Sequence, residues 1–265
     1  MEVLVTGAAG LIGRYLRDRL MPPQFTLRLL DVEPIDDAPA DRVVHASATD
    51  LDAMTGACRG VDAVVHLASI AGEASWQQIR DVNIESTYVA FEAARRAGVR
   101  RVVFASSNHA VGFATRDDAP LGDSLFPAPD TYYGVAKATG EALGAMYHHR
   151  YGLDVICLRI LTCRDRPHDL RSLSTWLSPD DCGRLFAAAL SAPSPGFRVV
   201  WGVSDNTRRW VSLDAARALG YDPVDDAERF APALLAEHGE IDITDPVHHR
   251  IGGPFTTSAY DAPVE

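Results

Sequence analysis

Apolar residues in this chain fall into short blocks that alternate with segments of helical period. The blocks at residues 2–6, 26–30, 42–46, 61–67, 101–105 and 153–159 are rich in Val, Leu and Ile. Such runs fit strands buried on both faces of a sheet. Residues 11–20, 76–97 and 131–150 repeat apolar positions at helical spacing, and a further short helix opens near Leu51, with Thr49 or Asp50 as its N-cap. Strand and helix in strict turn predict an α/β fold: a doubly wound parallel sheet with helices on both faces. After Arg159 the alternation becomes irregular. Ser178-Pro179-Asp180-Asp181 starts a helix reaching Leu190, a strand follows at 198–203, a short helix at 212–219, and the last forty or so residues are weakly patterned, free to wrap the surface or a partner subunit. The chain is therefore divided into a main domain, 1–160, and a small lobe, 161–265, packed as one unit.

The first strand runs directly into Gly7-Ala8-Ala9-Gly10-Leu11-Ile12-Gly13 and then into a helix. Glycines at three-residue spacing between a strand and a helix allow a tight turn and the close approach of a pyrophosphate, which the helix N-terminus attracts through its unpaired N–H groups. The second strand ends in Asp31, about twenty residues on. A carboxylate there suits the adenosine ribose hydroxyls and repels a 2′-phosphate, so NAD is favoured over NADP, although Arg28 and Arg42 lie close enough in sequence to meet a phosphate. Residues 1–160 thus read as a Rossmann-like NAD-binding domain. Asp50 accounts equally well as a helix cap or as an acceptor for an adenine amino group. Ala68-Ser69-Ile70-Ala71-Gly72 follows the fourth strand, where a cofactor crosses the strand ends. Asn83, inside the long helix, is assigned a structural role linking that helix to the cofactor loop.

The chemistry sits in Thr131-Tyr132-Tyr133-Gly134-Val135-Ala136-Lys137. Tyr133 and Lys137 are four apart and share one helix face, whereas the residue four after Tyr132 is Ala136. A free tyrosine titrates near ~10, and a fixed cation lowers that value. Bringing it to neutrality needs about 4 kcal/mol of differential interaction, more than one lysine supplies, so a cofactor must provide a second cation. The fifth strand ends in Ser106-Ser107-Asn108-His109, and ligands of open parallel sheets bind beyond the strand carboxyl ends. Ser107 is placed to hold the oxygen that Tyr133 deprotonates, with Asn108 and His109 lining the same cleft. The segment 110–130, rich in Pro, Gly and Asp, is long for a connection, as functional loops are.

A formal net charge of −11 argues against nucleic acid and anionic membranes as partners. Cys58, Cys157, Cys163 and Cys182 show no CxxC pair or metal-ligand spacing, and no apolar run has the length of a membrane span. A reduced, cytoplasmic protein without a metal is expected. His148-His149 and His248-His249 suggest no metal site either.

Together the glycine turn, the acid after the second strand, the serine after the fifth and Tyr-x-x-x-Lys on the next helix resemble the extended, epimerase-like branch of the short-chain dehydrogenase/reductase superfamily. Within it, Phe104-Ala105-Ser106-Ser107-Asn108-His109, Arg159-Ile160-Leu161-Thr162-Cys163, Leu173-Ser174-Thr175-Trp176-Leu177-Ser178 and Val200-Trp201-Gly202 resemble the uronate dehydrogenases. The resemblance implies oxidation of the C1 hydroxyl of a hexuronate (galacturonate or glucuronate) by NAD to an aldaro-lactone, in a homo-oligomer. It implies Tyr133, Lys137 and Ser107 as catalytic residues. Cofactor contacts are implied at Gly7, Gly10, Leu11, Ile12, Gly13, Asp31, Asp50, Leu51, Leu67, Ala68, Ser69, Tyr133 and Lys137. Substrate contacts are implied at Ser107, Asn108, His109, Tyr133, Thr162 and Arg171, the arginine gripping the C6 carboxylate. Thr162 stands where the family has serine. Ala71 stands where it has a substrate-loop serine, with Ser69 and Ser75 nearby. Two other readings stand beside this one: a sugar or sugar-nucleotide epimerase or dehydratase, and a non-catalytic NAD-sensing regulator.

Overall fold

A computed structural model describes residues 1–257 of the chain. Its seven-stranded sheet is built from β1 (Glu2–Thr6), β2 (Thr26–Asp31), β3 (Val43–His45), β4 (Ala63–His66), β5 (Arg101–Ser107), β6 (Asp154–Ile160) and β9 (Phe197–Gly202), with β7 (Thr162–Cys163) and β8 (Trp176–Leu177) forming a separate parallel pair. The order is β3-β2-β1-β4-β5-β6-β9, parallel at every pairing. The order reverses between β1 and β4, which opens a crevice at their carboxyl ends, the place where such sheets take ligands.

Alternate residues of each strand serve opposite faces. Val3, Val5, Val65, Val103, Ile156 and Leu158 pack with Leu16 of the helix Leu11–Arg19 and with Leu185 and Phe186 of the helix Pro179–Ser191. Leu4, Val64, Val102, Phe104, Val155 and Cys157 pack with Met54, Val89, Phe91 and Tyr147 of the helices Leu51–Cys58, Glu85–Ala97 and Tyr132–Tyr151. Burial on both faces explains the unbroken apolar runs of β1 and β4.

Four points differ from the sequence pattern. The fifth strand continues two residues further, so Ser106 and Ser107 lie on β5 itself. The helical stretch 76–97 is interrupted by a π-helical segment, Ile79–Ile84, containing Asn83; the wider turn lets that side chain reach inward. The strand beyond residue 161, β9, joins the main sheet beside β6, so the lobe and the sheet share one core. The tail does not simply coat the surface: Ile251 is fully buried and the residues after it turn into the crevice. Among the described residues, no helix is long and apolar enough to cross a membrane.

A buried ion pair ties the Tyr132–Tyr151 helix to the sheet. Arg159 on β6 meets Glu141 through two bonds of 2.9 and 2.8 Å, and Ser106 donates to the same carboxylate at 2.7 Å. Fork geometry and the extra donor offset the desolvation that a buried pair incurs.

Candidate active site

One cavity of about 1000 Å³ runs along the strand ends and holds most of the residues singled out above. At one end lie Gly7, Gly10, Leu11, Ile12, Gly13 and Asp31; Leu67, Ala68 and Ser69 follow; Ser107, Asn108, His109, Tyr133, Lys137, Thr162 and Arg171 close the other end. Asp50 and Leu51 are not in its wall, which Ala46, Ser47, Ala48 and Thr49 form instead. Asp50 caps its helix, accepting from the N–H groups of Asp52 and Ala53 at 3.0 Å each. The capping account therefore describes its geometry.

The first end suits a dinucleotide. Gly7 has φ +69°, and a Cβ on it would lie 2.7 Å from the backbone nitrogen of Ala68, so only glycine lets β1 and β4 release the chain this close together. The helix after Gly10 begins with neither a side-chain cap nor an acid in its first turn, which leaves its N–H groups and positive dipole end to an anion. Asp31 accepts from Ala9 N–H at 2.8 Å and Glu33 N–H at 3.0 Å, and each carboxylate oxygen keeps a second lone pair. Arg42 is bound to Glu2 at 2.6 Å, and Arg28 donates to the Ala57 and Arg59 carbonyls at 2.7 and 2.8 Å. Neither lines the cavity, so the phosphate role open to them in the sequence is closed.

The loop between the two ends is held at both its backbone and its tip. Asn83 accepts from Ile70 N–H at 2.7 Å and donates to the Ile70 carbonyl at 3.0 Å, as a link to the cofactor loop requires. Glu73 accepts from the N–H groups of Tyr132 and Tyr133 at 3.1 and 2.9 Å, placing a carboxylate at the start of the tyrosine helix, where the dipole favours it. Ser69 accepts from Lys137, and Ser75 closes a capping box with Gln78. Ser75 is thus taken up in the cap, whereas Ser69 lines the cavity and keeps its O–H donor.

Tyr133 stands in the first turn of its helix, after the Thr131 cap. Burial pushes its phenol up to about 12; a hydrogen bond with Ser107 pulls the other way, and the charge of Asp130 adds to the rise. Lys137 Nζ lies 5.3 Å from the centre of the tyrosine ring and donates to the Ala105 carbonyl at 2.9 Å and Ser69 Oγ at 3.3 Å. Burial lowers it to about 7. Among the protein's own groups burial is the largest influence on the phenol, which leaves the second cation expected from the cofactor still to act. At neutral pH the pair rests as a phenol beside a partly charged amine. Behind the lysine, His66 bonds Thr6 at 2.8 Å and is held down to about 3 by burial and then by Lys137; it is a neutral packing residue.

At the second end, His109 Nδ1 is 2.7 Å from Asp130 Oδ2, and its ring stands edge-on to Tyr133 and 4.1 Å from the ring of Phe255, centre to centre. Asn108 accepts from Ser107 Oγ at 3.2 Å and donates to the Ile251 carbonyl at 2.8 Å. Arg171 donates to the same carbonyl at 2.5 Å and to Thr162 Oγ1 at 3.4 Å. Thr162 also bonds Thr175 at 2.8 Å, and Thr175 bonds the Arg171 carbonyl at 3.1 Å. Sequence reasoning missed Glu73, Asp130 and the tail segment around Ile251 and Phe255. The signal available for the last was Gly252-Gly253, a glycine pair in an otherwise unpatterned tail.

The switch-point crevice, the uncapped helix start and the Ser–Tyr–Lys group at the strand ends define an extended short-chain dehydrogenase/reductase. Residues 3–163 match the NAD dependent epimerase/dehydratase family, and the chain belongs to it, with NAD as cofactor. It is 38% identical over 260 residues to the uronate dehydrogenase of Pseudomonas putida, an alignment spanning 97% of this chain and 96% of that one. It is 39% identical over 250 residues to the NAD-dependent glucose-6-phosphate dehydrogenase of Haloferax volcanii, across 86% of this chain and 95% of that one. The crystal structure of a mutant uronate dehydrogenase from Agrobacterium tumefaciens complexed with NAD superposes with a TM-score of 0.89 at 38% identity, covering 96% of each chain.

Proposed function

We propose that the protein is an NAD-dependent uronate dehydrogenase that oxidises the C1 hydroxyl of galacturonate or glucuronate to the aldaro-lactone. Relatives of nearly equal identity act on different sugars, so identity alone does not choose the substrate. The observation that carries the choice is Arg171, a buried guanidinium opening on the cavity that also holds Tyr133. A guanidinium fork suits a carboxylate. Among its charged neighbours, Asp169 and Asp130 act on it with one sign and Arg116 with the other. The fork favours an acidic sugar over a neutral one, which has no charge for it to pair.

In this reading Tyr133 takes the C1 hydroxyl proton and Ser107 holds the reacting oxygen. NAD, when bound, would supply the hydride acceptor. Lys137, whose third N–H is not engaged by Ala105 or Ser69, holds the cofactor ribose, and the helix start at Gly10 and the Asp31 carboxylate hold the rest of the dinucleotide. Asn108 and His109 take sugar hydroxyls, and Thr162 steadies Arg171. Four free cysteines suit a cytoplasmic setting. The test is NADH formation by the purified protein on galacturonate, glucuronate, galactose, glucose and glucose 6-phosphate, with NADP run beside NAD. Highest kcat/KM on a uronate is expected; preference for the phosphate or a neutral sugar refutes the assignment. NAD retained through dialysis with no net oxidation would point to an epimerase, and NAD binding without any turnover to a regulator.

A further inference from the structure

The groups assigned to the sugar come from separate parts of the chain. Asn108 and His109 follow β5, whereas Arg171 lies in the lobe beyond β7. The tail segment 251–255 is what joins them. The Ile251 carbonyl accepts from both Asn108 Nδ2 (2.8 Å) and Arg171 Nη2 (2.5 Å). A Cβ at Gly252 would overlap Asp130 Oδ2, the atom that holds His109. The same carboxylate also packs against Gly112, where a Cβ would overlap it too. A Cβ at Gly253, where φ is +61°, would overlap Arg171 Nε. Backbone bonds anchor the strap: Ile251 N–H donates to the Ala114 carbonyl and Gly252 N–H to the Gly112 carbonyl, each at 2.9 Å, and Arg250 bridges Thr115.

We propose that Ile251, Gly252 and Gly253 are positioning residues for the reaction: the Ile251 carbonyl fixes the span between the hydroxyl-binding and carboxylate-binding sides of the site, Gly253 sets the place of Arg171, and Gly252 sets that of the Asp130–His109 pair. This rests on the uronate reading. It makes the two glycines separable. Gly253 acts on the group that distinguishes a uronate, and Gly252 on a group that meets hydroxyls common to acidic and neutral sugars.

The experiment compares Gly253→Ala, Gly252→Ala, Arg171→Ala and the double variant Gly253→Ala/Arg171→Ala in the full chain, with glucuronate, galacturonate, galactose and glucose as substrates and NAD affinity measured alongside. Gly253→Ala should lower kcat/KM on uronates about tenfold or more, mainly through KM, the scale of one weakened charged hydrogen bond. It should leave NAD affinity and the neutral sugars within about twofold. In the Arg171→Ala background the same substitution should change kcat/KM by less than about twofold, since the displaced side chain is gone. Gly252→Ala should lower both sugar classes by a similar factor. Equal loss on both classes in Gly253→Ala, or additive losses in the double variant, overturns the inference. If Gly253→Ala does not fold, recovery of NAD binding in the double variant supports it and failure there overturns it. Wild-type protein inactive on uronates defeats the underlying reading; active wild type with unaffected glycine variants defeats only the strap.

Discussion

Arg171→Ala is the sharpest test of the substrate assignment. The guanidinium is buried and gives two bonds to the protein, at 2.5 Å to Ile251 and 3.4 Å to Thr162. Three of its five N–H groups thus remain for a ligand. Removing it does not orphan the Ile251 carbonyl, which keeps Asn108, so the fold should survive and the assay should read binding. A hydrogen bond to a charged group contributes about 1.5–3 kcal/mol, which is roughly 10- to 150-fold in kcat/KM. The nearby acids Asp169 and Asp130 are countered by Arg116, so the full range stands as the expected loss. Initial rates of NADH formation on glucuronate and galacturonate should fall by that factor, while galactose and glucose change little and NAD affinity stays put. Arg171→Lys, a point charge without the fork, should fall between. Equal losses on acidic and neutral sugars would refute the reasoning, because the missing group would then be serving something other than the carboxylate.

Other outcomes follow from the same geometry. Tyr133→Phe should nearly abolish turnover yet leave NAD binding intact; a variant with near wild-type rate would exclude the phenol as base. The active form is the phenolate, and in the free protein the phenol stands near 12 with Lys137 near 7. At saturating NAD, log kcat/KM should therefore rise with pH and level off well below 12, as the cofactor's positive charge favours the phenolate; a midpoint remaining near 12, or a rate falling as pH rises, would contradict this. Gly7→Ala places a Cβ against the Ala68 backbone at a positive φ, so it should weaken NAD binding and lower the melting temperature together, whereas a variant with unchanged NAD affinity would show that the close approach is dispensable.

Local pattern carried the sequence reading wherever one element was enough. Apolar runs buried on both faces announced β1, β4, β5 and β6; glycines between strand and helix announced the dinucleotide turn; a four-residue spacing put Tyr133 and Lys137 on one helix face. Asp50 shows the limit of such local signals. The same residue type caps a helix or meets an adenine, and only its position outside the cavity wall describes which bond it makes here. Asn83 was legible as a link to the cofactor loop, but the π-helical segment that aims it was not, since a one-residue widening of a helix leaves little mark on periodicity.

What the sequence determined by itself was the sheet, the cofactor end and the chemical pair, because each is written within one strand–turn–helix unit. Tertiary structure alone decided the direction in which burial pushes Tyr133 and Lys137, since desolvation depends on the whole enclosure. It alone decided that Glu73 caps the tyrosine helix from 60 residues away. It also brought Ile251 to Asn108 and Arg171 across sequence separations of 143 and 80 residues. A backbone carbonyl leaves no signature in residue type, so the part of the site that joins its two sides becomes visible only once the chain is folded.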